Sequence, residues 1–145
     1  MATILVVYYS ASGSTKKMAE LVAEGASEVG KHAVKLVSAE QVDMAAFGAA
    51  AGFAFGSPDY YTYMAGQMKI VFDRALSLVK SLKGKPFVSF VSHGGGGGAI
   101  DSLDALGKAV GLKRVCDGVK SLGAPSKQGA EDCRELGRKL AAAVE

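Results

Sequence analysis

The chain has 145 residues, 49% of them apolar and 21% charged, with a formal net charge of +3; this is the balance of an ordinary globular protein with one substantial core. No apolar run reaches the roughly 18 residues that a membrane-spanning helix needs, and no basic segment precedes the first apolar run, so neither a membrane span nor a secretory signal is expected. Lys and Arg are scattered rather than interleaved with aromatics, which argues against nucleic acid as a partner, and Cys116 and Cys133 lack metal-ligand spacing and are expected as reduced thiols in the cytoplasm.

Ile4-Leu5-Val6-Val7-Tyr8-Tyr9 is a continuous apolar run, the pattern of a strand buried on both faces of a parallel sheet. A polar loop follows, Ser10-Ala11-Ser12-Gly13-Ser14-Thr15. Met18, Leu21, Val22, Ala26 and Val29 then mark one face of a helix, with Gly30 as its stop. The second strand is expected over residues 33–37, where Val34 and Leu36 alternate with Lys35 as at a sheet edge. Residues 39–47 hold at most a short helix, and residues 50–55 read as the third strand.

Gly56-Ser57-Pro58-Asp59 signals a loop. Met68, Val71, Phe72, Ala75, Val79 and Leu82 predict one long amphipathic helix. The fourth strand, residues 87–91, leads into Ser92-His93 and Gly94-Gly95-Gly96-Gly97-Gly98. Ile100, Leu103, Gly107 and Val110 mark another helix, residues 113–119 a last strand, and Cys133, Leu136, Leu140 and Val144 the inner face of a final helix.

Five strands alternating with helices predict an α/β fold of three layers, a parallel sheet of order 2-1-3-4-5 with helices on both faces. With no internal repeat and no linker, residues 1–145 are expected to form a single domain. Ligands of such a sheet bind beyond the carboxyl ends of the strands, where the strand order reverses. The loops after strands one, three and four lie there, and they are also the most unusual segments of the chain.

The first loop places four hydroxyls among six residues before a helix start. A helix N-terminus leaves about four N–H groups unpaired and carries partial positive charge, and a phosphate satisfies both. One capping residue would account for only one of the hydroxyls. Lys16 and Lys17, in the first turn, are expected to be solvated. Gly-x-x-x-x-Gly-Lys-[Ser/Thr] and Gly-x-Gly-x-x-Gly are both absent, which removes the two commonest nucleotide loops. In the second loop Tyr60, Tyr61 and Tyr63 could stack on a flat ring or pack over the helix start. The glycine run suits backbone N–H groups aimed at ring carbonyls, or else a flexible surface loop. His93 stands either at such a ring or in solvent, and His32 is expected at the surface.

Ser10-Ala11-Ser12-Gly13-Ser14-Thr15 resembles the flavodoxin loop [Ser/Thr]-x-[Ser/Thr]-Gly-x-Thr that holds the phosphate of flavin mononucleotide (FMN). Gly56-Ser57-Pro58-Asp59-Tyr60-Tyr61 with Met64-Ala65-Gly66-Gln67-Met68-Lys69 is similar to the second flavin segment of WrbA-type quinone reductases and FMN reductases. Ser92-His93-Gly94-Gly95-Gly96-Gly97-Gly98 resembles their third, with Ser92, His93, Gly94, Gly95 and Gly96 expected at the cofactor. The resemblance spans nearly the whole chain and implies a flavodoxin-like fold with FMN as cofactor. It also implies that Ser57 and Pro58 shape a turn along the ribityl chain, that Asp59, Tyr60 and Tyr61 approach the ring edge or face, and that Met64 is among the cofactor contacts. Unlike acidic flavodoxins, which dock basic partners, this chain is mildly basic; it also has no Trp and no room for the long fifth-strand insertion of larger members.

The leading expectation is an FMN-binding electron-transfer protein serving a redox partner protein, as a monomer or dimer. No side chain need act as nucleophile or base, and no catalytic residue is assigned. The alternative is an NAD(P)H-dependent quinone or FMN reductase of the WrbA type. A phosphoacceptor signalling domain shares the topology but needs acidic residues where Tyr9-Ser10 and Gly56-Ser57 stand. A low-molecular-weight phosphatase needs a Cys in the first loop.

Overall fold

The computed structural model describes residues 1–145. In chain order the elements are β1 (Thr3–Tyr8), α1 (Ser14–Glu28), β2 (Ala33–Ser38), α2 (Met44–Ala49), β3 (Gly52–Pro58), α3 (Gly66–Ala75), α4 (Val79–Leu82), β4 (Pro86–His93), α5 (Ala99–Ala109), β5 (Lys113–Arg114), β6 (Val119–Leu122) and α6 (Lys127–Ala143). All strand pairs are parallel. The order is β2-β1-β3-β4-β5, with β6 also paired to β4.

Period-2 side-chain alternation divides the strands between two cores. Leu5, Val7, Phe53, Phe55, Phe87 and Val91 face α2 to α5, where Phe47 and Phe72 join them. Phe53 and Phe55 stack with centroids 5.8 Å apart, and Phe47 lies 4.6 Å from Phe53. Each buried Phe contributes on the order of 1.5–3 kcal/mol. The opposite face is mostly aliphatic: Ile4, Val6, Val88 and Phe90 pack on Met18 and Val22 of α1 and on Leu136 and Leu140 of α6.

The chain departs from the sequence expectation at four places. The third strand starts two residues later and runs through Ser57 and Pro58, because Ala50 closes α2 and the ladder to β4 continues to Pro58 opposite Ser92. The expected long helix is interrupted by a 3-10 turn, Leu76–Leu78, where Leu76 turns out to solvent, before Leu82 in α4 returns to the core. The last strand is split. Between the partners of Phe87 and Phe90 the chain inserts residues 115–118, so β6 rejoins β4 in a shifted register and extends to Leu122. Finally, both ring nitrogens of His32 are buried without a partner rather than solvated at the surface.

Reversal of the strand order opens the crevice. From β1 the chain crosses to β2 through α1 on the aliphatic face; from β3 it crosses to β4 through α3 and α4 on the aromatic face. The loops leaving β1 and β3 therefore part above the sheet. No helix is long and apolar enough to cross a membrane.

Candidate functional site

The loops at the carboxyl edge are joined to one another by backbone hydrogen bonds beyond the strand ends. The Tyr9 N–H donates to Gly56 O at 3.1 Å, the Asp59 N–H to Ser92 O at 2.9 Å and the Gly123 N–H to His93 O at 2.9 Å. The sheet ladder thus continues into the loops and fixes their spacing. They enclose an open cleft of about 260 Å³, walled by Ser12, Ser14, Pro58, Asp59, Tyr60, Ser92, His93, Gly94 and Gly123.

In the first loop Gly13 has φ of +101°, a left-handed conformation that glycine adopts without strain. This turn folds the Ser10 side chain back under the helix start, where its oxygen accepts the Gly13 N–H at 3.1 Å and the Lys16 N–H at 3.2 Å. The first intrahelical bond runs from the Lys17 N–H to Gly13 O. The N–H groups of Ser12, Ser14 and Thr15 have no acceptor in the chain, so three donors remain at the positive end of α1. Lys16 and Lys17 are exposed, as expected, and Ala11 is exposed at the rim.

Thr15 is placed differently from its neighbours. It is only 1% exposed, and its hydroxyl pairs with that of Ser92 at 2.7 Å. This contact ties the start of α1 to the end of β4 beneath the cleft floor. Either hydroxyl can donate to the other, which leaves one O–H of the pair for a further acceptor.

In the second loop the buried Ser57 hydroxyl donates to Pro58 O at 2.7 Å and accepts the Ala65 N–H at 2.8 Å, so it closes the loop on itself. The Met64 N–H donates to Ser102 Oγ at 3.0 Å, and the Met64 side chain, 3% exposed, lies in the aromatic-face core. Between these anchors Tyr60 and Tyr63 exchange backbone hydrogen bonds across a tight turn whose tip, Tyr61 and Thr62, has φ of 57° and 66°. Positive φ at a bulky and a β-branched residue stores strain. Tyr60 borders the cleft, whereas Tyr61 is fully exposed at the tip.

The third loop is held from inside. The Gly95 N–H donates to His93 Nδ1 at 3.1 Å, and the Gly97 N–H donates to Asp59 Oδ2 at 2.8 Å. The N–H groups of Gly94 and Gly96 between them have no acceptor and are exposed. Side chains from outside the run thus hold it at Gly95 and Gly97.

The structure thus brings the three expected loops to one cleft but gives their residues different roles. Ser12, Ser14, Pro58, Asp59, Tyr60, Ser92, His93 and Gly94 reach its walls, while Ser10, Ser57, Thr15 and Met64 act from behind them. Gly123 was missed. Its signal was present, since Leu122-Gly123-Ala124-Pro125 is a turn after a strand ending at the same edge. Ser102, on α5, was also missed: its hydroxyl donates to Ala99 O at 2.7 Å while holding Met64, a contact no local pattern announces.

Larger hollows lie elsewhere, one of about 340 Å³ beside Cys116 and one of about 410 Å³ beside Arg138. They are lined by charged side chains of α6. The Arg138 guanidinium there is committed to Glu28, Glu131 and Glu135, which hold it more firmly charged than usual. The two cysteines are not joined. Burial pushes the Cys133 thiol up to about 12 and raises that of Cys116 as well, so neither is primed as a nucleophile.

A family model described as flavodoxin matches residues 6–137. The chain is 34% identical over 159 aligned positions to a flavodoxin of Aquifex aeolicus, covering 97% of this chain and 86% of the relative. It is 36% identical over 122 positions to a probable NAD(P)H dehydrogenase (quinone) of Arabidopsis thaliana, covering 68% of this chain and 45% of that protein. A solved flavodoxin from the domain Archaea superposes with a TM-score of 0.88 at 29% identity, covering 97% and 96% of the two chains.

Proposed function

The chain belongs to the flavodoxin family, and we propose that it is an FMN-binding electron-transfer protein, residues 1–145 forming a single domain that serves a redox partner protein in the cytoplasm. The observation that carries this reading is the set of free N–H groups on Ser12, Ser14 and Thr15 at the head of α1, beside the cleft. Three unpaired donors in one loop, a helix N-terminus and nearby hydroxyls suit a phosphate monoester dianion. Charge-assisted hydrogen bonds of this kind are each worth about 1.5–3 kcal/mol. Ser10 serves indirectly: by accepting the Gly13 and Lys16 N–H groups it holds the loop in its cradle form.

When bound, FMN supplies reversible electron transfer, and the protein sets its orientation and potential. In this reading Ser12, Ser14 and Thr15 hold the phosphate. Ser57 and Pro58 set the height of the second loop along the ribityl chain. Asp59, Tyr60 and Tyr61 border the ring, with Met64 supporting them from the core, and Gly94 and Gly96 direct N–H groups at its polar edge. Ser92 braces Thr15, and His93 holds Gly95.

Titration with FMN and with riboflavin tests the proposal. Loss of the phosphate is expected to weaken binding by about a hundredfold or more, from two or more charge-assisted bonds. Equal affinity for both ligands, or no uptake of FMN at micromolar concentration, refutes it.

One observation favours a second reading, an NAD(P)H-dependent quinone reductase. The glycine loop carries no side chain to cover a ring face, and a quinone dehydrogenase is among the relatives. Rapid NADPH oxidation with a quinone acceptor by the FMN-loaded protein would establish that reading over the carrier.

A further inference from the structure

We propose that Asp59 is a positioning residue, a latch whose carboxylate sets the glycine loop in the form that receives the flavin ring. The proposal rests on the flavin reading above and extends it to a residue outside the phosphate cradle.

Asp59 is fixed at two points. Its backbone N–H donates to Ser92 O at 2.9 Å, and its Oδ2 accepts the Gly97 N–H at 2.8 Å. Loops two and three are thereby joined through one residue. The carboxylate-to-amide bond is charge-assisted, hence stronger than a neutral one. Gly97 is closed in from the other side as well. Its φ is +77°, and a Cβ there would stand 2.8 Å from Lys120 Cδ and 3.1 Å from His93 Cδ2. The left-handed φ and these neighbours favour glycine at the position that meets Asp59.

The pattern along the run shows what the latch achieves. Five consecutive glycines lose more backbone entropy on ordering than any other sequence of that length. Gly95 is tied to His93 and Gly97 to Asp59, so the alternate N–H groups of Gly94 and Gly96 are left exposed and unpaired. Tying every second amide inward presents the intervening ones outward, at the wall of the cleft that Gly94 borders.

The second oxygen of Asp59 gives the latch an electrical consequence. Oδ1 is buried with no hydrogen-bond partner. The same carboxylate places a negative charge at the wall of the cleft. Fixed at the cleft, it disfavours added negative charge on a reduced ring and so biases the site toward the oxidised cofactor.

The test combines two readouts, amide exchange of Gly97 in the cofactor-free protein and FMN binding with potentiometry. In Asp59→Ala the Gly97 amide is expected to exchange about a hundredfold faster, as a local opening replaces a held one, and FMN affinity to fall about tenfold. Asp59→Asn keeps a neutral oxygen for Gly97 and should restore slow exchange and most of the affinity. The same variant should bind reduced FMN relatively better. A tenfold change in the ratio of the two affinities corresponds to about 59 mV in a one-electron step, and the potential should rise.

Unchanged Gly97 exchange in Asp59→Ala overturns the latch. Fast exchange with unaltered FMN affinity overturns its positioning role. Failure of Asn to rescue, or an unmoved potential in Asp59→Asn, overturns the division between acceptor and charge. If the wild-type protein takes up no FMN while Gly97 still responds to Asp59→Ala, the flavin reading fails and with it the purpose assigned here, though the contact itself stands.

Discussion

The first and third loops solve opposite problems at the same edge of the sheet. In residues 10–15 hydroxyl side chains and one left-handed glycine leave the backbone donors of Ser12, Ser14 and Thr15 free at the helix start. In residues 94–98 there are no side chains at all, and outside groups, His93 and Asp59, take up every second donor. The first arrangement suits a compact dianion that must be held equally in every redox state. The second couples its free donors to a charged residue, which suits a ring whose charge changes. Binding strength should therefore reside in the first loop and redox tuning in the third.

Gly13 is where this contrast is most vulnerable. Nothing lies within 4 Å of a Cβ built there, so Gly13→Val has space but not the backbone conformation. Forcing φ negative turns the Ser12, Ser14 and Thr15 amides apart. FMN affinity should fall by about a hundredfold, roughly 2.7 kcal/mol, with the potential unchanged because both redox states lose the same phosphate contacts. Fluorescence titration and potentiometry on one variant check both parts.

Thr15→Val comes next and mixes two effects. The isosteric change leaves the buried Ser92 hydroxyl without its partner, at a cost of about 1–3 kcal/mol of folding stability. A fall in FMN affinity of about tenfold should accompany it, as the brace under the cradle is lost. Urea unfolding of the cofactor-free protein separates the two, and unaltered stability would show that the Thr15–Ser92 pair braces nothing.

Ser10→Ala removes the acceptor of the Gly13 and Lys16 N–H groups. By analogy with helix caps it should cost about 1 kcal/mol of stability, and FMN affinity should fall several-fold as the loop loosens. His93→Ala should matter least. Only the Gly95 N–H loses an acceptor there, and that amide is exposed to water. FMN affinity should change by about twofold, with any shift appearing in the potential rather than in the phosphate contribution. A larger loss of affinity at His93 than at Ser10 would reverse the roles assigned to the two loops.

The sequence reading reached the architecture because its main signals are local. The apolar run at Ile4, the alternation at Val34 and Leu36, and the 3.6-residue spacing of Met18, Leu21 and Val22 each follow from the geometry of one element. It erred where elements meet. The 3-10 break at Leu76–Leu78 keeps the periodicity of a continuous helix, and residues 115–118 interrupt the last strand without a breaking residue before Gly118. The burial of both His32 ring nitrogens had no signal in its neighbours along the chain.

The alternation of strands and helices, the place of the cleft and the three loops around it are written in the chain itself, because periodicity, glycines and hydroxyl clusters act over a few residues. In those loops Ser10 and His93 tie donors close to them in the chain, and the rest is settled by long-range packing. That outcome depends on pairs far apart in the chain, Thr15 with Ser92, Met64 with Ser102 and Asp59 with Gly97. A buried polar group takes whichever partner the packing brings within about 3 Å, and no local pattern encodes that choice.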